Sequence, residues 1–130
     1  MSETGGRILL VDDEPPLLKM MSMYLKRLGY DVVTADSTDK AWAEIQQAPS
    51  GFAGAVLDAT MSGLTMEALA LRILDSNPSI FVIAASGYPV DMGPIEATAP
   101  GRVMFLHKPF APEMLARALR RMLAAQEEKL

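Results

Sequence analysis

Carboxylate, hydroxyl and ammonium side chains collect at the ends of short apolar runs. Asp12-Asp13-Glu14 follows Ile8-Leu9-Leu10-Val11, and Asp58 follows Ala53-Gly54-Ala55-Val56-Leu57. Ser86 lies just beyond Ile80-Phe81-Val82-Ile83-Ala84, and Lys108-Pro109 just beyond Val103-Met104-Phe105-Leu106. Clustered carboxylates repel one another unless a hard cation or a proton joins them. Mg²⁺ suits such a cluster, because it takes oxygen ligands octahedrally and keeps waters that substrate oxygens can replace. An aspartate can itself be the nucleophile and become an aspartyl phosphate. The transferred group then needs cations and hydroxyl or N–H donors around its oxygens. Asp58 as acceptor, with Lys108 and Ser86 on the phosphoryl oxygens, fits those roles. A single aspartate at a strand end is ordinarily a helix cap or a solvated loop residue; the joint placement at four ends carries the functional reading.

The elements that must hold these groups are legible from the hydrophobic pattern. With Asp31-Val32-Val33-Thr34 there are five apolar runs, most of them continuous, as in strands covered on both faces. Leu17, Leu18, Met21, Leu25 and Leu28 form one helical stripe, entered at Pro15-Pro16 and stopped near Gly29. Ala41, Trp42 and Ile45 repeat the pattern after the cap candidates Asp36 and Ser37, and Ala68, Leu69, Leu71, Ile73 and Leu74 form a third helix ending before Asn77-Pro78. The three prolines between Pro89 and Pro100 predict a fourth helix that is short or distorted. Leu115, Leu119, Met122 and Leu123 make the last helix, with Arg117, Arg120 and Arg121 on its other face. Strand and helix alternate throughout, which predicts an α/β (βα)₅ fold with a parallel sheet between two helical layers. Functional groups of such sheets gather beyond the carboxyl ends of the strands. The Leu and Met stripes read as core, and His107, inside the last strand-end motif, reads as structural.

Composition narrows the function. The chain has 130 residues, half of them apolar, with a net charge of −4 that argues against direct binding to nucleic acid. There is no cysteine, which excludes disulfides, thiolate metal sites and Cys nucleophiles. No apolar run approaches the roughly 20 residues of a membrane span, and Met1–Gly6 lacks the apolar core of a signal peptide, so the expected location is the cytosol. No Gly-rich nucleotide loop is present, so the chain does not read as a kinase. One domain over residues 1–130, with a core from about 7 to 123, is expected.

Val11-Asp12-Asp13-Glu14-Pro15, Leu57-Asp58, Ala85-Ser86-Gly87-Tyr88 and Leu106-His107-Lys108-Pro109-Phe110 together resemble the receiver domains of bacterial two-component systems. The resemblance runs from about Arg7 to Leu123 and implies a flavodoxin-like sheet in the order 2-1-3-4-5. It implies that Asp58 takes a phosphoryl group from a histidine kinase or a His phosphotransfer protein. Asp13, Asp58 and the backbone carbonyl of Thr60 would hold Mg²⁺, with Asp12 acting largely through water. Lys108 would contact the phosphoryl group, Ser86 would move to bind it, Phe105 would reorient, and the Lys108-Pro109 bond would be cis. Thr60 and Tyr88 occupy the two places that tune phosphoryl lifetime, and neither offers a water-orienting carboxylate or amide. Slow self-dephosphorylation is therefore expected. The chain departs from the family after the acceptor, where Ser62 and Met66 stand in place of the usual Pro and Gly. Ser-Gly-Tyr and Lys-Pro-Phe are similar to motifs common in hybrid sensor kinases, so both a stand-alone regulator and part of a larger protein stay open. Two other functions compete with this reading. A phosphatase of the haloacid-dehalogenase type wants a second Asp where Thr60 stands and leaves Asp12-Asp13 without a role. A docking module with the same fold but no phosphorylation is opposed by the complete acceptor set.

Overall fold

The apolar runs become strands β1 (Arg7–Val11), β2 (Asp31–Ala35), β3 (Gly54–Asp58), β4 (Phe81–Ser86) and β5 (Val103–His107). Between and after them run helices α1 (Pro15–Arg27), α2 (Thr38–Gln47), α3 (Met66–Ser76), α4 (Gly93–Thr98) and α5 (Pro112–Glu127). The computed structural model describes residues 6–48, 51–59 and 65–127. All strand pairs are parallel, and the sheet order is β2-β1-β3-β4-β5, as the resemblance implied. Every residue of the inner strands β3 and β4 is buried, which accounts for their unbroken apolar runs. The edge strands β2 and β5 are only partly covered.

Two apolar layers sandwich the sheet. One side packs Leu18, Met21 and Leu25 of α1 and Leu115 and Leu119 of α5 against Ile8, Leu10 and Ile83. The other packs Ile45 of α2, Leu69 and Ile73 of α3 and Ile95 of α4 against Leu9, Leu57 and Val82. Helix ends follow local chemistry. Past α1, Gly29 takes a φ of 100°, and the amides of Gly29 and Tyr30 donate to the carbonyls of Lys26 and Leu25. A left-handed residue closing a helix in this way favours glycine. Of the two cap candidates before α2, Ser37 accepts from the Lys40 amide, whereas Asp36 pairs with the Lys40 ammonium at 2.9 Å. Helix α4 is as short as its prolines predict, with Ile95 its one buried residue.

Of the stripe residues read as core, Leu28 at the end of α1 is 36% exposed, whereas both stripe methionines are covered. Met21, Met66 and Met122 are buried, but Met20, Met23 and Met114 are 48%, 48% and 45% exposed. These three lie on the outer sides of α1 and α5, where no further layer covers them. Arg102 was not singled out in the sequence, yet its guanidinium ties three backbone segments together. It donates to the carbonyls of Ile80 and Leu74 at 2.9 Å and of Asn77 at 2.6 Å, so it satisfies the end of α3 from the start of β5. Arg102→Ala is expected to lower stability by about 2 kcal/mol, since hydrogen bonds from a charged donor are lost and carbonyls are left without it. A shift of the urea midpoint without a change of slope would show it; an unmoved midpoint would contradict it.

Candidate functional site

The carboxyl edge of the sheet gathers the groups the sequence placed there. Asp58 is the last residue of β3 and Ser86 the last of β4, while Asp12-Asp13 directly follow β1 and Lys108 directly follows β5. The Asp12 amide donates to the Ala35 carbonyl, the Ala59 amide to Ala85, and the Lys108 amide to Ser86 at 2.8 Å. The sheet's hydrogen bonding thus continues past the strand ends and fixes the backbone under the site.

Asp12 and Asp58 are 3% and 4% exposed, whereas Asp13 faces solvent. One carboxylate oxygen from each of the three lies within 4.8 Å of the others. Asp12 uses both oxygens: Oδ1 accepts from the Glu14 amide at 2.9 Å and Oδ2 from Lys108 Nζ at 3.2 Å. The same ammonium pairs with Asp58 Oδ1 at 3.4 Å. Burial by itself would push the Lys108 ammonium down. The charges of Asp12 and Asp58, with their hydrogen bonds, outweigh burial and hold it above its ordinary value. Such a set can hold a hard divalent cation, because its donors are converging oxygens and part of its negative charge is already balanced. Thr60 and Ser62 lie outside the described residues. Met66, where the family usually has glycine, opens α3 and is buried in the core.

Ser86 is 1% exposed, and its Oγ accepts from the Tyr88 amide at 3.0 Å. The Tyr88 ring is 70% exposed and borders a groove of about 520 Å³. Leu17, Met20, Met21, Lys108 and Phe110 line that groove too. The sequence reading did not foresee the groove; the signal available was the apolar pattern of α1, which is wider than one stripe. Phe105 is half-buried on β5, and the Lys108-Pro109 bond is cis, as the resemblance implied.

The fold and this edge define a receiver, and comparison with known proteins agrees. Residues 8–120 match the response regulator receiver domain family, and the chain belongs to it. Response regulator GtcR of Aneurinibacillus migulanus is 33% identical over 118 residues, covering 90% of this chain and 46% of GtcR. The C4-dicarboxylate transport transcriptional regulatory protein DctD of Rhizobium meliloti (strain 1021) is 31% identical over 115 residues, or 88% of this chain and 24% of DctD. The chain thus spans between about a quarter and a half of the length of these relatives. Among solved structures, chemotaxis response regulator CheY4 of Vibrio cholerae superposes with a TM-score of 0.75 at 28% identity, covering 90% of this chain and 98% of CheY4. A CheY-like receiver domain protein from Methanospirillum hungatei JF-1 reaches a TM-score of 0.84 at 24% identity, with 96% and 98% covered, and shows the shared fold. Among the described residues no helix is long and apolar enough to cross a membrane.

Proposed function

We propose that this receiver takes a phosphoryl group onto Asp58 from the phosphohistidine of a histidine kinase or a His phosphotransfer protein, in the cytosol. The observation that carries the reading is the Lys108 ammonium lying between the buried carboxylates of Asp12 and Asp58. The step breaks the P–N bond to the donor imidazole and forms a P–O bond to a carboxylate oxygen of Asp58; the imidazole leaves and takes up a proton. Asp13, Asp58 and the Thr60 carbonyl would hold Mg²⁺, with Asp12 reaching it through water. Bound there, the cation would neutralise charge on the phosphoryl oxygens. Lys108 is placed to turn from Asp58 to the new phosphoryl oxygens without leaving Asp12. Ser86, freed from the Tyr88 amide, would donate its hydroxyl to another. The apolar groove beside Lys108 gives a donor helix a surface to rest on. Thr60 and Tyr88 are assigned to lifetime, with slow loss of the phosphoryl group. The chain acts as a signalling phosphoacceptor and turns over no external phosphate ester; in the competing phosphatase reading Asp12 has no task, whereas here it anchors Lys108.

Acetyl phosphate with Mg²⁺ is expected to add one phosphoryl group to the intact chain, read as a mass shift. Asp58→Asn should abolish it, and a chelator should suppress it in the parent. Equal labelling of Asp58→Asn and parent would overturn the assignment.

A further inference from the structure

Phe105 and His107 stand two residues apart on β5, so their side chains share one face of the sheet. Register with β4 places Ala84 opposite Phe105 and Ser86 opposite His107, so Ser86 belongs to that face too. The two rings meet edge to face, with centroids 6.3 Å apart and planes at 80°. This is the ring contact of Phe105 among the described residues. Strand β5 is the edge of the sheet, Ala84 across from it offers only a methyl group, and the short α4 supplies one buried side chain. His107 itself is exposed and has no place in the acceptor chemistry. It adjoins the aromatic along the strand and the hydroxyl across the strand pair.

We propose that His107 is a positioning residue of the switch, its ring holding Phe105 in the half-buried place seen here. The proposal rests on the phosphoacceptor reading above and adds what regulates it. When Ser86 leaves the Tyr88 amide for the phosphoryl oxygens, it vacates space on this face. Phe105 turns inward toward that space, which breaks the edge-to-face geometry its ring now holds with His107. A contact present in one state and lost in the other opposes the transition by its own strength. For an aromatic pair that is about two- to tenfold in the equilibrium constant. His107 therefore sets how readily phosphorylation moves the ring, without touching the phosphoryl group.

The test uses the full chain with Mg²⁺ and beryllofluoride as the phosphoryl mimic, followed by NMR of the Phe105 ring, its signals assigned by their loss in Phe105→Leu. In His107→Ala without beryllofluoride, the ring signals should lie part of the way toward those of the saturated parent. The half-saturating beryllofluoride concentration should fall about two- to tenfold. His107→Phe, which keeps an aromatic edge on Phe105, should restore both. Ring signals and half-saturation in His107→Ala equal to the parent's would overturn the proposal, as would a His107→Phe that behaves like His107→Ala. A parent chain that binds no beryllofluoride would overturn the phosphoacceptor reading itself, and this proposal with it.

Discussion

Replacing Lys108 with methionine is expected to destabilise the metal-free chain by about 3 kcal/mol and to slow phosphoryl uptake about a hundredfold, with Mg²⁺ reversing the first effect and not the second. Methionine keeps most of the unbranched stem and removes the charge. Asp12 and Asp58 are nearly sealed from water, and they share one ammonium at 3.2 and 3.4 Å. Removing one partner of a buried ion pair costs about 3–5 kcal/mol, because the remaining charge is left uncompensated. The lower end applies, since the Lys108 side chain is itself 20% exposed. A divalent cation between the carboxylates supplies the missing charge, so unfolding in urea should show a large deficit in chelator and a small one in millimolar Mg²⁺. On the proposed function, phosphoryl uptake should stay slow, because the charge that would face the transferred group is gone. A variant as stable as the parent in chelator would show that Lys108 does not neutralise this pair.

Gly54→Ala should cost about 3 kcal/mol, although it adds a single methyl group at the beginning of a strand. Gly54 on β3 is the register partner of Phe81 on β4, and both are buried. A Cβ at position 54 would collide with the Cε1–Cζ edge of the Phe81 ring. The ring cannot withdraw, because Phe81 is fully buried in the layer formed with α1 and α5. Overpacking of a dense core costs about 1–3 kcal/mol, and the upper end applies where the obstacle is a rigid ring. Phe81→Leu should cost less, and the double variant should be more stable than the sum of the two single losses. Simple additivity in urea unfolding would mean that position 54 matters for another reason.

Strand ends were readable because parallel strands buried on both faces leave continuous apolar runs, and the candidate acceptor residues stand where those runs stop. Asp58 and Ser86 are themselves the last residues of their strands. Strand order was different. Nothing in the pattern of apolar residues says that β1 lies between β2 and β3, and that order came from the family resemblance. The partnership of Lys108 with Asp12 was also hidden. It depends on a long side chain reaching from the edge strand β5 past β4 and β3 to the end of β1, a relation set by sheet order and not by spacing. Arg102 gave no signal, since a lone arginine before a strand looks like any solvated cation until its carbonyl partners fold around it. The expectation of a core stripe failed at Leu28, which caps the end of α1, because residue type and spacing alone do not say where the cover of a helix stops.

The Arg102 tie has a consequence for background signalling. With Ser86 fixed at the end of β4 and Arg102 bound to the end of α3, the segment carrying α4 is moored at both ends. Between the moorings Ile95 is the helix's one buried anchor, and burying such a side chain is worth about 1.5–3 kcal/mol. An arrangement held by about 2 kcal/mol gives way about 3% of the time at equilibrium. In the proposed switch, a standing fraction of displaced α4 of that size would be a leak, setting a floor on the off state. The moorings confine that leak to one short segment, so a noisy α4 leaves the sheet that holds Asp58 undisturbed.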